Sequence, residues 1–451
     1  MGKKINSLLY ADDLVILSRS KTGLQNCLNA LSLYCDKWKL KINPKKTKIM
    51  IFQKRPKKSI DIKFNIGSES IEIVQEYTYL GTRLTPTGNF TLALEHLKEK
   101  ALHAFSSIRK RTILNKLNPN TASQIFDTMV FPILSYNSEV WGMYTKQDFK
   151  KWDSSPIEKV HLKFCKRYLE VNNKASNIAC RAELDRLPLL IPINQKIMKY
   201  FVYLNNKDND SIVKQSFLMS KNLHSMNNSG YFSNFINMLE QYNLTSLDAE
   251  SLDNDKIRRY TTEMREKYLS FWRHSLENSK KLEFYKNFKD EYSTSDYLYQ
   301  LRHYDERQNF VKFKISNHKL MIEHGRYQID HLPRENRLCP SCNSNQVEDE
   351  IHFLFQCNKY SVQRQAFINQ INRIIPDFDK KSSPESIKLI MNSKEHHFKI
   401  HMFFFVVVVC FYYILQIIFK QVLWSGFSTQ VRYYFIHIVL SFISVIRLDF
   451  V

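Results

Sequence analysis

The sequence predicts an α+β protein, on three observations. Two short apolar runs near the start flank a pair of aspartates, as the strands of a hairpin would. From Thr91 onward the apolar residues recur at helical spacing. Glycine and proline are scarce, 9 and 12 in 451 residues, so little interrupts those helices. The length allows two or three domains, and 43 % hydrophobic content argues against global disorder.

Ser7 to Tyr10 and Leu14 to Leu17 are the two runs, with Ala11-Asp12-Asp13 at the tip between them. Thr22 to Leu40 places Leu24, Leu28, Leu31, Tyr34, Cys35 and Trp38 on one side of an amphipathic helix. Ile42 to Lys48 reads as a basic turn around Pro44, Lys48 to Phe52 as the start of a strand, and Gln75 to Leu84 as another short strand ending near Gly81. Thr91 then opens a helix marked by Leu92, Leu94, Leu97, Ala101, Ala104, Phe105 and Ile108. Further helices are expected over Ala122 to Tyr136, Ile157 to Leu169, Asn177 to Leu187 and Ile193 to Leu204. The Asn-, Ser- and Asp-rich stretch from about Asn205 to Asn254 reads as a linker or irregular insert, and 255–330 as helical and charged. No internal repeat is evident.

The formal net charge is +22, and residues 1–70 hold 15 Lys/Arg against 5 Asp/Glu. Basic residues along a groove displace counterions from phosphates, which points to a polyanionic partner; a Lys-rich solvated surface is the plainer alternative. Eight cysteines, five of them scattered, suit a reducing compartment better than a disulfide framework. Met1 to Asn6 run straight into a strand-like segment, so no secretory signal is expected.

Two adjacent carboxylates between apolar strands call for a compensating cation, and hard divalent ions take carboxylate oxygens. The dipeptide alone fits an ordinary solvated turn. Its surroundings say more. Leu8-Leu9-Tyr10-Ala11-Asp12-Asp13-Leu14-Val15-Ile16-Leu17 resembles motif C of the reverse transcriptase palm. Leu40-Lys41-Ile42-Asn43-Pro44-Lys45-Lys46-Thr47-Lys48 resembles motif D, and Tyr77-Thr78-Tyr79-Leu80-Gly81 resembles the primer-grip hairpin of non-LTR retrotransposon polymerases. The resemblance implies Mg²⁺ or Mn²⁺ at Asp12 and Asp13, with Asp12 the direct ligand. It implies a phosphate contact at Lys46, with Lys45 second, and a primer end held by Tyr79, Leu80 and Gly81. Tyr10 would lie beside the incoming nucleotide; read without the family, it is equally a core tyrosine at a strand end.

The family's two-metal site needs a further aspartate from motif A, and its fingers bind template and nucleotide; both precede motif C. Only nine residues precede Tyr10. Two carboxylates from one turn do not hold two metals about 3.5–4 Å apart. The expectation is a fragment of an RNA-directed DNA polymerase that is inactive alone, as in element copies lacking their 5′ part or in an incomplete gene model.

Cys339-x₂-Cys342-x₉-His352-x₄-Cys357 offers three thiolates and an imidazole, a set suited to a tetrahedral structural Zn²⁺. It resembles the Cys-Cys-His-Cys knuckle of non-LTR retrotransposon proteins, which implies that Arg326, Arg334 and Arg337 are held against nucleic acid. His318 and His324 are expected to be packing or phosphate-contact residues instead of ligands. The resemblance also implies a helical thumb and connector, supported by Tyr136, Trp141-Gly142, Glu183-Leu184 and Leu187-Pro188.

The expected organisation is a partial palm over 1–90, a thumb and connector over 91–204, a linker and helical segment over 205–300, a zinc region over 301–365 and a tail over 366–451. The expected partners are an RNA template and a DNA primer or target; the expected location is nuclear or cytoplasmic. Two other functions stay open: a nucleic-acid-binding module without chemistry, and a membrane-anchored protein. Met402 to Phe419 is 18 residues without charge, and Tyr433 to Ile446 is a shorter apolar run. Phe, Leu, Ile, Met and Val all carry thymine at the second codon position, so thymine-rich read-through DNA mimics such a span; the membrane reading is weighed lower for that reason. Nothing in the sequence sets the oligomeric state.

Overall fold

A computed structural model describes residues 7–53, 62–144, 148–244, 251–301, 304–328 and 331–392. The fold is α+β, with small sheets first, a mostly helical body after them and a Cys/His cluster toward the C-terminus. The chain divides into two compact units, Met1–Cys165 with Arg186–His274 and Lys166–Asp185 with Ser275–Val451.

In the first unit, β1 (Ser7–Tyr10) and β2 (Asp13–Ile16) form an antiparallel hairpin in which Tyr10 faces Asp13 and Ser7 faces Ile16. Helix α1 (Lys21–Trp38) starts where the Ser20 hydroxyl caps the Gly23 N–H at 3.0 Å. It ends at Lys39, whose left-handed backbone lets the Leu40 N–H reach the Cys35 carbonyl at 2.9 Å. β3 (Lys48–Ile49), β4 (Phe64–Ile66) and β5 (Glu69–Ile73) make a three-stranded sheet ordered β3-β5-β4, with β3 parallel to β5. Leu28 of α1 is buried against Ile49, Phe64, Ile66 and Ile71, and Ile16 packs at the edge of that core. The Gln25 amide satisfies the outer edge of β4, donating to the Asn65 carbonyl at 2.7 Å and accepting its N–H at 3.1 Å. Ile16 and Gln25 thus tie the hairpin and the helix to one small sheet.

β6 (Tyr77–Tyr79) and β7 (Thr82–Leu84) form a second hairpin, so the single strand expected over Gln75–Leu84 is two strands and a turn. Helix α2 (Thr91–Arg111) buries Leu97, Ala101, Phe105 and Ile108 as expected, and Ala93 with them, while Leu92, Leu94 and Ala104 are half-buried. The single helix expected over Ala122–Tyr136 is broken into α3 (Pro119–Met129) and α4 (Phe131–Leu134), because Pro132 cannot continue the hydrogen-bond ladder. Next come α5 (Ser138–Trp141), α6 (Phe149–Trp152) and α7 (Pro156–Tyr168), then α8 (Asn177–Glu183), which stops short of the expected Leu187, and α9 (Leu190–Asn205).

The expected linker is also corrected. Within it, α10 (Ile212–Ser225) and α11 (Tyr231–Glu240) are helices, packed on α9 through Phe201, Phe217, Phe232 and Phe235; the Phe201 and Phe235 rings stack at 3.9 Å. Asn, Ser and Asp are densest in the turns 206–211 and 226–230, and those on the helices, such as Asn222 and Asn234, interleave with apolar residues at helical spacing. α12 (Asn254–Glu277) follows.

The second unit is built around a buried carboxylate. Glu183 accepts from the Tyr285 hydroxyl at 2.7 Å and lies 3.5 Å from Lys314 and 3.8 Å from Lys289, all but hidden from solvent. Among the described residues no helix is long and apolar enough to cross a membrane. The apolar segments Met402–Phe419 and Tyr433–Ile446 lie outside the described residues.

Candidate nucleic-acid and metal sites

Asp12 and Asp13 are presented by different local geometry. Ala11 and Asp12 form the two-residue turn, with Ala11 at φ 52°, and Asp13 is the first residue of β2. A non-glycine residue in the left-handed region costs about 1–2 kcal/mol, a strain that concentrates at working sites. Both aspartates are exposed, as are Leu9 (71 %) and Tyr10 (64 %). Tyr10 is therefore not a core tyrosine here. Alternation along the strands puts Tyr10 and Asp13 on one face, and Leu9, Leu14 and Ile16 on the other. Among the described residues, no third carboxylate, cysteine or histidine gathers with the aspartate pair.

Lys45 and Lys46 project from a turn built by Asn43. The Asn43 side chain accepts the Lys45 and Lys46 N–H groups at 3.1 and 3.3 Å, and its carbonyl accepts from Lys46, Thr47 and the Thr47 hydroxyl. The asparagine thus takes up the donors of the turn after Pro44, and both lysines are exposed.

Tyr79 and Thr82 close the second hairpin across a two-residue turn in which Leu80 (φ 44°) and Gly81 (φ 77°) are both left-handed. That combination marks a type I′ turn, whose first position ordinarily takes Asn, Asp or Gly. An exposed leucine there is a local conflict of the kind found at functional sites. The turn is held from outside: the Tyr136 hydroxyl donates to the Leu80 carbonyl at 2.8 Å and the Asn137 amide donates to Thr82 Oγ1 at 2.6 Å. Trp141 Nε1 in turn donates to the Tyr136 carbonyl at 2.7 Å, and Lys196 to that of Ser135 at 2.7 Å. Asn137 and Lys196 were not legible as site residues, since their partners lie 55 and 61 positions away.

Residues 2–84 match the family described as reverse transcriptase (RNA-dependent DNA polymerase). These residues carry a reverse transcriptase region. The chain is also similar to a transposon-derived, uncharacterized protein of Caenorhabditis elegans, 28 % identical over 31 % of this chain and 50 % of the worm protein. It resembles two Drosophila melanogaster proteins: a probable RNA-directed DNA polymerase from transposon BS (26 % identical) and the RNA-directed DNA polymerase from mobile element jockey (28 % identical), each matched over 32 % of this chain. The match spans half the length of the worm protein and 16 % of each fly polymerase. The matched residues include all three segments that resemble motif C, motif D and the primer grip.

The Cys/His cluster forms as expected. The ligating atoms of Cys339, Cys342, His352 and Cys357 all lie within 4.8 Å of one another. Cys339 and Cys342 sit on a hairpin closed by the Leu338–Val347 bridge and by the Cys339 N–H on the Gln346 carbonyl at 2.9 Å. His352 opens a π turn to Gln356 that brings the Cys357 N–H onto the His352 carbonyl at 2.8 Å. The Cys339 and Cys357 sulfurs are 3.9 Å apart, and Cys342 Sγ is 3.3 Å from His352 Nε2. A tetrahedral zinc with Zn–S of about 2.3 Å sets its sulfurs about 3.8 Å apart, so the donor set fits that ion. Gln346 Oε1 takes the His352 Nδ1 proton at 2.9 Å, leaving Nε2 free to ligate. Burial pushes the Cys339 and Cys357 thiols up and the His352 imidazole down. Burial also opposes ionisation of Cys342, but hydrogen bonding to Ser344 and its neighbours outweighs it and holds that thiol low.

The arginines expected to face nucleic acid each have partners within the protein. Arg337 donates to the Leu332 and Ile322 carbonyls, both at 2.9 Å, and fixes the hairpin to its neighbour. Arg334 pairs with Glu283 at 2.6 Å and reaches Asp349 at 3.5 Å, and Arg326 pairs with Glu323 at 3.2 Å. Arg334 and Arg326 thus pair with carboxylates, Glu283 being 51 positions from its partner and Glu323 three, while Arg337 is held by backbone carbonyls. His318 is a packing residue, bonded to Glu350 at 2.9 Å.

Proposed function

We propose that this chain carries part of the palm of a non-LTR retrotransposon RNA-directed DNA polymerase, followed by its thumb and connecting helices and a zinc-binding module. The observation that carries this reading is the series of three solvent-facing turns within one reverse transcriptase region: the aspartates, the lysines and the Leu80-Gly81 turn. In this reading Asp12, with Asp13 beside it, takes a magnesium ion, and Lys46, with Lys45 second, meets the nucleotide's phosphates. Tyr10 borders the nucleotide, and Tyr79, Leu80 and Gly81 hold the primer end. Zn²⁺ at Cys339, Cys342, His352 and Cys357 is structural, since all four positions are filled by protein.

The metal would supply Lewis-acid stabilisation of phosphoryl oxygens, which two exposed carboxylates do not support alone. The pair is therefore one part of a polymerase site and needs a carboxylate from outside the described residues. Iron(II) substituted for magnesium, with peroxide, cleaves protein backbone beside its site. Cleavage at 10–14 that magnesium suppresses and Asp12→Asn abolishes is the expected result; uniform or absent cleavage refutes the metal assignment. Primer extension by the full chain with Mg²⁺ or Mn²⁺ is expected to yield no template-dependent product, and synthesis would refute the incompleteness. The lack of a third ligand near the pair among the described residues also favours a second reading, a nucleic-acid-binding module without chemistry, which differs in predicting no magnesium-suppressed iron cleavage at 10–14.

A further inference from the structure

The solvent face of α9 carries cations and aromatic rings in one line. Lys196, Lys199, Tyr200 and Tyr203 recur at helical spacing, and Lys207 extends the line just past the helix end. The opposite face, from Ile193 through Ile197, Phe201 and Leu204, is buried. Tyr200 and Tyr203 stack at 5.7 Å with 20° between their planes, and Tyr203 is 49 % exposed. The Lys207 ammonium rests 4.5 Å from the centre of the Tyr203 ring. The line begins beside the Leu80-Gly81 turn: Lys196 holds the Ser135 carbonyl, and the next residue, Tyr136, holds Leu80. Glu139, beside the line, pairs with Lys196 at 3.2 Å.

We propose that this face of α9 is a stacking track for single-stranded nucleic acid. Unpaired bases offer flat faces to tyrosine rings, whereas a duplex keeps its bases stacked inside. A base arriving on Tyr203 displaces the Lys207 ammonium, which then meets a backbone phosphate along with Lys199. Lys196 to Tyr203 spans about 10 Å of helix, roughly the rise of three stacked nucleotides. The track stands on its own geometry; only its direction, leading away from a primer end, rests on the function proposed above.

Photocrosslinking of the full chain to short oligodeoxythymidines carrying one 5-iodouracil tests both parts separately. An interior iodouracil is expected to crosslink to Tyr203 or Tyr200, and a 3′-terminal one near Tyr79 to Gly81. Tyr203→Ala is expected to weaken binding about tenfold, Tyr203→Phe to retain it, and Lys199→Ala to weaken it while flattening its salt dependence. Interior crosslinks confined to other regions, or Tyr203→Ala binding as tightly as the parent, overturn the track. Interior crosslinks at Tyr203 with the 3′ end elsewhere keep the track and overturn the primer hold.

Discussion

A Cβ atom added to Gly81 would lie 3.2 Å from the ring of Tyr136, whose hydroxyl donates to the Leu80 carbonyl at 2.8 Å. Two residues separated by 55 positions therefore share one small space, and the hairpin turn keeps its shape by pressing against a helical segment. The left-handed backbone of Gly81 and the closeness of the ring both disfavour a side chain there.

Gly81→Ala is accordingly expected to destabilise the first unit by about 1–3 kcal/mol, from the left-handed strain plus the crowded ring. Tyr136→Phe removes one hydrogen bond and should cost about 1 kcal/mol. Because both act on one contact, the double variant should lose less than the sum, as read by denaturant unfolding.

The Cys/His cluster should bind one zinc per chain by elemental analysis, and His352→Ala or Cys339→Ser should abolish it. Chelation should lower the melting temperature of the second unit, because the four ligands join the hairpin to the π turn. Gln346→Ala keeps every ligand but frees the imidazole to turn, and should weaken zinc binding about 10- to 100-fold. Equal zinc affinity in that variant would remove Gln346 from the site.

Glu158 anchors the helical part of the first unit. Fully buried, it accepts from Trp152 Nε1 at 2.7 Å, the Leu189 N–H at 2.8 Å and His161 Nδ1 at 2.7 Å. His161 Nε2 accepts in turn from Arg186 at 3.2 Å, and Arg186 grips Asp127 with two bonds of 2.6 Å. Glu158→Ala leaves three buried donors unmatched and should cost about 3–5 kcal/mol by thermal or denaturant unfolding. A loss below about 1 kcal/mol would show that water replaces the carboxylate.

Glu183 makes the second unit acid-sensitive. Burial opposes its charge, but Lys314, Lys289 and the hydroxyls of Tyr285 and Tyr297 outweigh it and hold the carboxyl down at about 2. A depressed carboxyl contributes stability that is fully present above its ordinary value of 4.5 and is lost as pH falls through about 2. The stake is about 3 kcal/mol. Circular dichroism across that range should show the second unit loosening, and Glu183→Gln should remove this part of the pH dependence. Lys314→Met should move the loss to higher pH, because the carboxyl then keeps one cation instead of two.

Much of the fold and the metal cluster was legible in order, because the information is local. The aspartate pair and its flanking runs, the face of α2 and the Cys/His spacing each depend on residues a few positions apart, where strand and helix periods and metal geometry act directly. The misreadings have equally local causes. Average composition hid α10 and α11, whose polar residues crowd the turns, and one proline divided a helix that periodicity alone runs together. The β4–β5 hairpin went unseen because its apolar residues are few and its partner is a helix 40 positions earlier.

By itself the sequence determined the α+β class, the turns at Asp12 and Lys46 and the four side chains of the Cys/His cluster, since each is written in short-range spacing that any folded form must respect. Only the tertiary structure decided what touches them: that Tyr136 and Asn137 clamp the Leu80-Gly81 turn, that Arg334 pairs with Glu283 and Arg337 with backbone carbonyls beside the Cys/His cluster, and that α9 turns its tyrosines and lysines outward. The reason is physical. Charges and hydrogen-bond donors take whichever partner the folded chain brings within about 3 Å, and that choice is made across distances the linear order does not encode.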